Sequence, residues 1–200
     1  MTNFPMTPAP LILASSSRFR QAQLANLNLP FECVSPNIDE HPKNHETPAQ
    51  TALRLATEKA QTVAQSHTQH LIVGSDQVAF CQNTQLGKPM SVNKAREILR
   101  FTSAQRLHFY TAVVLLNSHT GRLQQHIDHT EVQMRTLTEA SIERYLEREP
   151  DAIFCAGGAK SEGLGQTLIQ SITTNDPNAL IGLPMLSLIG FFINEGIVLP

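Results

Sequence analysis

Residues 11–20 read LILASSSRFR: four apolar residues, three serines, and then Arg18-Phe19-Arg20 opening a helical pattern. The run Leu11-Ile12-Leu13-Ala14 does not alternate, which is the pattern of a strand buried on both faces. A buried strand that stops in small hydroxyl residues and leads into a helix makes an anion site. The N–H groups at the helix N-terminus point outward, and the helix dipole favours negative charge there. Ser15 and Ser17 add hydroxyl donors, and Arg20, one turn in, can present a bidentate fork to phosphate. Alone, such a Ser-Arg pair is a capped helix with a surface arginine. Its place after a buried strand brings in the phosphate reading. It is no P-loop, since no G-x-x-x-x-G-K-[ST] run occurs in the chain.

Working outward, Leu71-Ile72-Val73 reads as a second doubly buried strand. Gly74-Ser75 then permits close backbone approach, and Asp76 is expected where the strand ends. Ligands in open α/β sheets sit beyond the carboxyl ends of strands. A carboxylate there serves as a metal ligand or general base, or as a plain turn or cap residue. Further strands are expected over 31–35, 106–117, 122–135 and 167–172, and helices over 18–27, 47–64, 91–101, 138–147 and 184–194. The fold class is α/β: a mixed central sheet with flanking helices. The long ribbon 106–135 and a glycine-rich stretch are expected to form a second lobe, with a cleft between the lobes. Residues 1–9 read as a mobile tail and 10–200 as one domain.

Composition narrows the partners. With 200 residues there is enough chain for a proper core. Net charge is −2 and no basic stripe is visible, so no nucleic-acid partner is expected. No run approaches the about 18 apolar residues of a membrane span, and the N-terminus lacks the basic region of a signal peptide. The three cysteines, Cys33, Cys81 and Cys155, have no paired spacing, which favours reduced thiols in a cytoplasmic protein and no zinc motif.

Other charged residues fall in informative places. Glu40 lies in the polar loop 36–48 and could ligate a metal or orient a water. Lys59 lies beside the apolar side of the 47–64 helix, where a lysine either snorkels or enters a cleft to meet phosphate. Lys88 is held between Gly87 and Pro89, which fixes its direction. The stretch 154–165, FCAGGAKSEGLG, holds four glycines and reads as a loop that touches something closely; Glu162 within it could project into a pocket. His126, Asp128 and His129 alternate along one strand and do not all converge. Hydroxyls, cations and carboxylates, with no nucleophilic cysteine, fit phosphate chemistry better than acyl transfer.

In their order and spacing these residues resemble the Maf-type nucleoside triphosphate pyrophosphatases. The resemblance rests on Leu13-Ala14-Ser15-Ser16-Ser17 with Arg20, Ile38-Asp39-Glu40, Glu58-Lys59-Ala60, Gly74-Ser75-Asp76, Gly87-Lys88-Pro89, Cys155-Ala156-Gly157 and Gly182-Leu183-Pro184. It implies hydrolysis of a nucleoside triphosphate between the α and β phosphates with a divalent cation, Mg2+ or Mn2+. It implies Asp76 as proton acceptor for the attacking water. Ser15, Ser17, Arg20, Lys59 and Lys88 would hold phosphates, and Glu40 with Asp76 would hold the metal. A small-molecule nucleotide is the implied partner, and a homodimer is allowed for.

Phe19, Gln77 and Glu162 stand where the dTTP- and UTP-acting branch differs, and resemble the branch acting on N7-methyl-GTP. N7-methylation leaves a positive charge on the purine, on which Phe19 can stack. Glu162 can accept from the guanine N1–H and amino group, and Gln77 can read an edge. Phe19 stands where tryptophan is usual, Arg18 replaces a proline, and Gln21 replaces an arginine. The alternatives are dTTP/UTP specificity, or a non-catalytic nucleotide-binding regulator of cell division.

Overall fold

β1 (Leu11–Leu13) is fully buried and pairs in parallel with β2 (Phe31–Cys33) on one side and β3 (Leu71–Cys81) on the other. In this computed structural model residues 9–199 are described. The expected tail lies outside them except for Ala9, which packs against apolar core. β3 turns through Gln82-Asn83, both at positive φ, into the short β4 (Thr84–Leu86). β5 (Arg106–Asn117), β6 (Leu123–Met134) and β7 (Ile169–Thr173) continue the sheet in antiparallel fashion, giving the order β2-β1-β3-β5-β6-β7 with β4 on β3. The sheet is therefore mixed, as the sequence predicts.

Five α-helices flank it among the described residues: α1 (Arg18–Ala25), α2 (Pro48–Ala64), α3 (Val92–Thr102), α4 (Glu139–Arg148) and α5 (Met185–Asn194). None is long and apolar enough to cross a membrane. α2 starts where its sequence says, with Thr47 and Gln50 closing a reciprocal capping box before Pro48 in the first turn. Its alanines pack on Ile12, Ile72 and Val114, while α1 and α5 pack on Leu13, Val73 and Leu115 from the opposite face. Gly74 makes the α2 approach possible: a Cβ there would sit 2.1 Å from the Ala56 carbonyl oxygen. The close approach expected at this glycine is thus by a helix, not a ligand.

Two expectations need correction. β3 does not end at Asp76; it runs on to Cys81, and Asp76 pairs with Ala112 in mid-strand. Nor is the second lobe a separate ribbon. The far ends of β3, β5 and β6 belong to the same sheet and carry their own core of Leu107, Phe109, Val132 and Met134 under α3 and α4. Long strands shared by both lobes fix their relative position.

The cleft follows from strand pairing. Along one edge of β3, β1 pairs with residues 71–73 and β4 with residues 79–81. Residues 74–78 between them have no strand on that side. That gap opens the sheet where β1 gives way to its serines, and it contains Asp76 and Gln77.

Candidate active site

All ten candidate residues, Ser15, Ser17, Phe19, Arg20, Glu40, Lys59, Asp76, Gln77, Lys88 and Glu162, line a single cavity of about 450 Å³ at this gap. That is ample for a nucleotide.

The serine turn is built from its own hydroxyls. Ser15 Oγ accepts from the Ser17 N–H at 3.1 Å, and Ser17 caps α1 by accepting from the Arg20 N–H. Both hydroxyl protons stay available to an anion. Arg20 Nε donates to the Gly182 carbonyl at 2.8 Å, which leaves its terminal nitrogens for a ligand. The same carbonyl accepts from Ser75 Oγ at 2.9 Å, and Ser75 is fully buried. Gly182 sits at φ 131°, a conformation open to glycine. Ser75 and Gly182 thus position Arg20, a role their motifs alone did not disclose.

Lys59 does not snorkel. Its Nζ donates to Asp76 Oδ1 at 2.6 Å and lies 2.7 Å from Glu40 Oε1, with 6% of its side chain exposed. Among the described residues, Asp76 Oδ2 and Glu40 Oε2 have no hydrogen-bond donor. Two carboxylates already converging on one cation, each with a free oxygen, are a donor set that suits Mg2+ or Mn2+. Partial burial works to raise the Glu40 pKa; the hydrogen bond and charge of Lys59, then Lys88 and Arg20, outweigh it and hold the carboxyl below its ordinary range. Lys88 is exposed at the cleft; desolvation there first, then the Arg20 charge, lowers its pKa below the usual lysine value.

A clamp absent from the sequence reading holds the Glu40 loop. Arg54 of α2 bonds Glu46, reaches Glu58 at 3.0 Å and donates to the His41 carbonyl at 3.0 Å. The hydrogen bond from Arg54, then that from the Lys43 N–H, pulls the Glu46 pKa down to about 2.

Gln77 commits its amide donor elsewhere: Nε2 lies 3.0 Å from Thr111 Oγ1, the Ala179 carbonyl and the Leu180 carbonyl. What it offers a ligand is its carbonyl oxygen, an acceptor.

The glycine-rich stretch folds into short 3₁₀ turns at Ala156–Gly158 and Leu164–Leu168. Its glycines serve the loop itself. A Cβ on Gly163 would meet Glu149 Oε2 at 2.4 Å, and one on Gly165 the Lys160 carbonyl at 2.4 Å. Lys160 is not solvated but paired with Glu149 at 3.2 Å and Asp151 at 3.1 Å. Tyr145 accepts from the Lys160 N–H at 2.9 Å and donates to the Gly158 carbonyl at 3.2 Å. This scaffold carries exposed Glu162 on the cleft rim. Burial, then the Glu162 charge, pushes the Cys155 thiol up to about 12, so it is a protonated wall rather than a nucleophile.

Phe154 was also missed. The Arg18 guanidinium lies 5.0 Å from the Phe19 ring centroid and 5.3 Å from that of Phe154, and it ion-pairs with Asp151. A planar cation against two aromatic rings and a carboxylate is a measure of what that corner of the cleft attracts.

Fold and site together define an α/β protein with a cation-lined, carboxylate-bearing cleft. The chain belongs to the Maf family: the family model described as Maf-like protein matches residues 10–194. A 7-methyl-GTP pyrophosphatase of Neisseria meningitidis serogroup A is 52% identical over 188 residues, 94% of this chain and 96% of the relative. Proteins of the same name from Chromobacterium violaceum and Thiobacillus denitrificans are 48% identical over 187 residues and 46% identical over 191. These alignments cover 94% of this chain and 97% of the first, and 96% of this chain and 94% of the second.

Proposed function

We propose that this protein hydrolyses 7-methyl-GTP to 7-methyl-GMP and diphosphate, clearing a modified nucleotide from the cytoplasmic pool. The observation that carries the reaction type is the Glu40–Lys59–Asp76 cluster facing Ser15, Ser17, Arg20 and Lys88 across one cavity. The names of the relatives in three genera support the base.

In this reading the triphosphate lies along the serine turn, with Arg20 and Lys88 on the outer phosphates. Lys59 fixes Asp76 through Oδ1, and the Asp76 carboxylate takes a proton from water as the water's oxygen attacks the α phosphorus. The α–β anhydride bond breaks, and the leaving diphosphate carries its charge away beside Lys88 and Arg20. Asp76 and Glu40 would hold a divalent cation, which supplies charge neutralisation at the phosphates. Positioning rather than basicity does the work, since an aspartate is an ordinary weak base.

The base lies toward Phe19 and Phe154. Glu162 accepts from the guanine N1–H and amino group, and Gln77 contributes only an acceptor. A turnover panel of 7-methyl-GTP, GTP, UTP and dTTP at equal concentration, with added Mg2+ or Mn2+, tests the reading. 7-Methyl-GTP is expected to turn over fastest. Faster UTP or dTTP overturns the base assignment, and binding without turnover of any of them overturns the enzyme.

A further inference from the structure

Outside the cleft, β5 and β6 bring three ligating side chains to one face of the sheet. His108 stands directly opposite Glu131 in register, and His129 opposite Tyr110. His108 Nδ1 and His129 Nε2 are 3.0 Å apart, and His108 Nδ1 lies 4.0 Å from Glu131 Oε1. One ligand atom from each of the three falls within 4.8 Å of the others. Two ring nitrogens come this close only with a proton or a cation between them, because facing lone pairs repel. The Tyr110 ring stacks on His129 at 4.7 Å and holds that imidazole in place. None of the four lines the cleft.

We propose that His108, His129 and Glu131 form a binding site for a single Zn2+ ion, separate from the active site. Two imidazoles, a carboxylate and an open position for water are a donor set for a borderline transition metal. Mg2+, by contrast, takes oxygen ligands. Zinc–ligand bonds of about 2.0–2.2 Å put the ligand atoms about 3.3–3.5 Å apart in a tetrahedron. Reaching that span takes an opening of the histidine pair by a few tenths of an ångström and a closing of Glu131 by about half an ångström on His108 and by at most about 1.5 Å on His129. The site is also accessible: His129 is exposed, and His108 and Glu131 are half-buried. Arg106 is the charge that competes, with Nη1 3.5 Å from Glu131 Oε2. It leaves Oε1 to the ion, and its side chain is 62% exposed and free to withdraw. Strand alternation hides this cluster from a reading along one strand, since His129 finds its partners across the ladder rather than at His126 or Asp128.

Calorimetric titration of the full chain with ZnCl2 tests this, with saturating Mg2+ present to occupy the carboxylates of the cleft. Wild type should bind one equivalent. His129→Gln and His108→Gln, each with circular dichroism unchanged, should bind at least about tenfold more weakly. Asp76→Asn should bind as wild type does. Co2+ in place of Zn2+ should give visible absorption that both histidine variants lose. No binding to wild type, equal binding to wild type and both histidine variants, or binding lost in Asp76→Asn but kept in His129→Gln would each overturn the proposal.

Discussion

Lys59 Nζ stands 2.6 Å from Asp76 Oδ1, with 6% and 11% of the two side chains exposed. A lysine from the middle of α2 and an aspartate from the middle of β3 meet because Gly74, two residues before Asp76, lets that helix touch the strand. Removing one partner of a buried pair leaves the other charge without compensation, at a cost of about 3–5 kcal/mol. Lys59→Met should lower the unfolding free energy read from urea titration by an amount at the low end of that range, with a lower midpoint, since Asp76 opens onto the cleft. It should also cut kcat by about a hundredfold or more. An unchanged midpoint would mean that the pair is not closed in solution.

Ser75→Ala tests whether Arg20 is positioned from beneath. The hydroxyl lies 2.8 Å from the Ala112 carbonyl and 2.9 Å from that of Gly182, so its loss frees the carbonyl that anchors Arg20 Nε. One such bond is worth about 0.5–1.5 kcal/mol, which converts to a rise in KM of up to about tenfold. The rise should exceed any fall in kcat if, as proposed, Arg20 grips phosphate and does not touch the water. Steady-state kinetics separates the two.

Arg54 supplies a pH dependence. The Glu46 carboxyl lies well below its ordinary value in the folded protein, at about 2 against 4.5. A depressed carboxyl stabilises the fold fully above the unfolded value, and that contribution is lost as pH falls through the window between the two. Urea midpoints measured from neutral pH down to about pH 3 should fall more steeply for wild type than for Arg54→Gln. The same variant frees the loop that carries Glu40 and should lower activity at neutral pH.

Phe154→Ala should raise KM for 7-methyl-GTP by about three- to tenfold and raise KM for GTP less. The cationic base loses a ring face worth about 0.5–1 kcal/mol or more. An equal effect on both nucleotides would place Phe154 in the wall and not in base selection.

Much of this was open to reading because it is local. The doubly buried run at β1 and the helical spacing over 47–64 each follow from a few neighbouring residues. What stayed hidden depends on partners far along the chain. Gly74-Ser75-Asp76 carries turn chemistry, yet β5 supplies a full ladder and the strand runs on, so tertiary pairing overrides local preference. Arg54 and Phe154 have no spacing to mark them, and the motif that holds Ser75 does not show its partner. Their roles come from contacts with Glu46, Arg18 and Gly182. Of the glycines in 154–165, Gly163 and Gly165 are close-contact positions, against Glu149 and Lys160, whereas Gly157 and Gly158 are set by positive φ.

Hydrolysis of 7-methyl-GTP in water enriched in heavy oxygen tests the central claim most directly. If Asp76 aims water at the α phosphorus, the label appears in the phosphate of 7-methyl-GMP, diphosphate is released unlabelled, and Asp76→Asn abolishes labelling. Label found in diphosphate or orthophosphate, with none in the nucleoside monophosphate, would contradict the account.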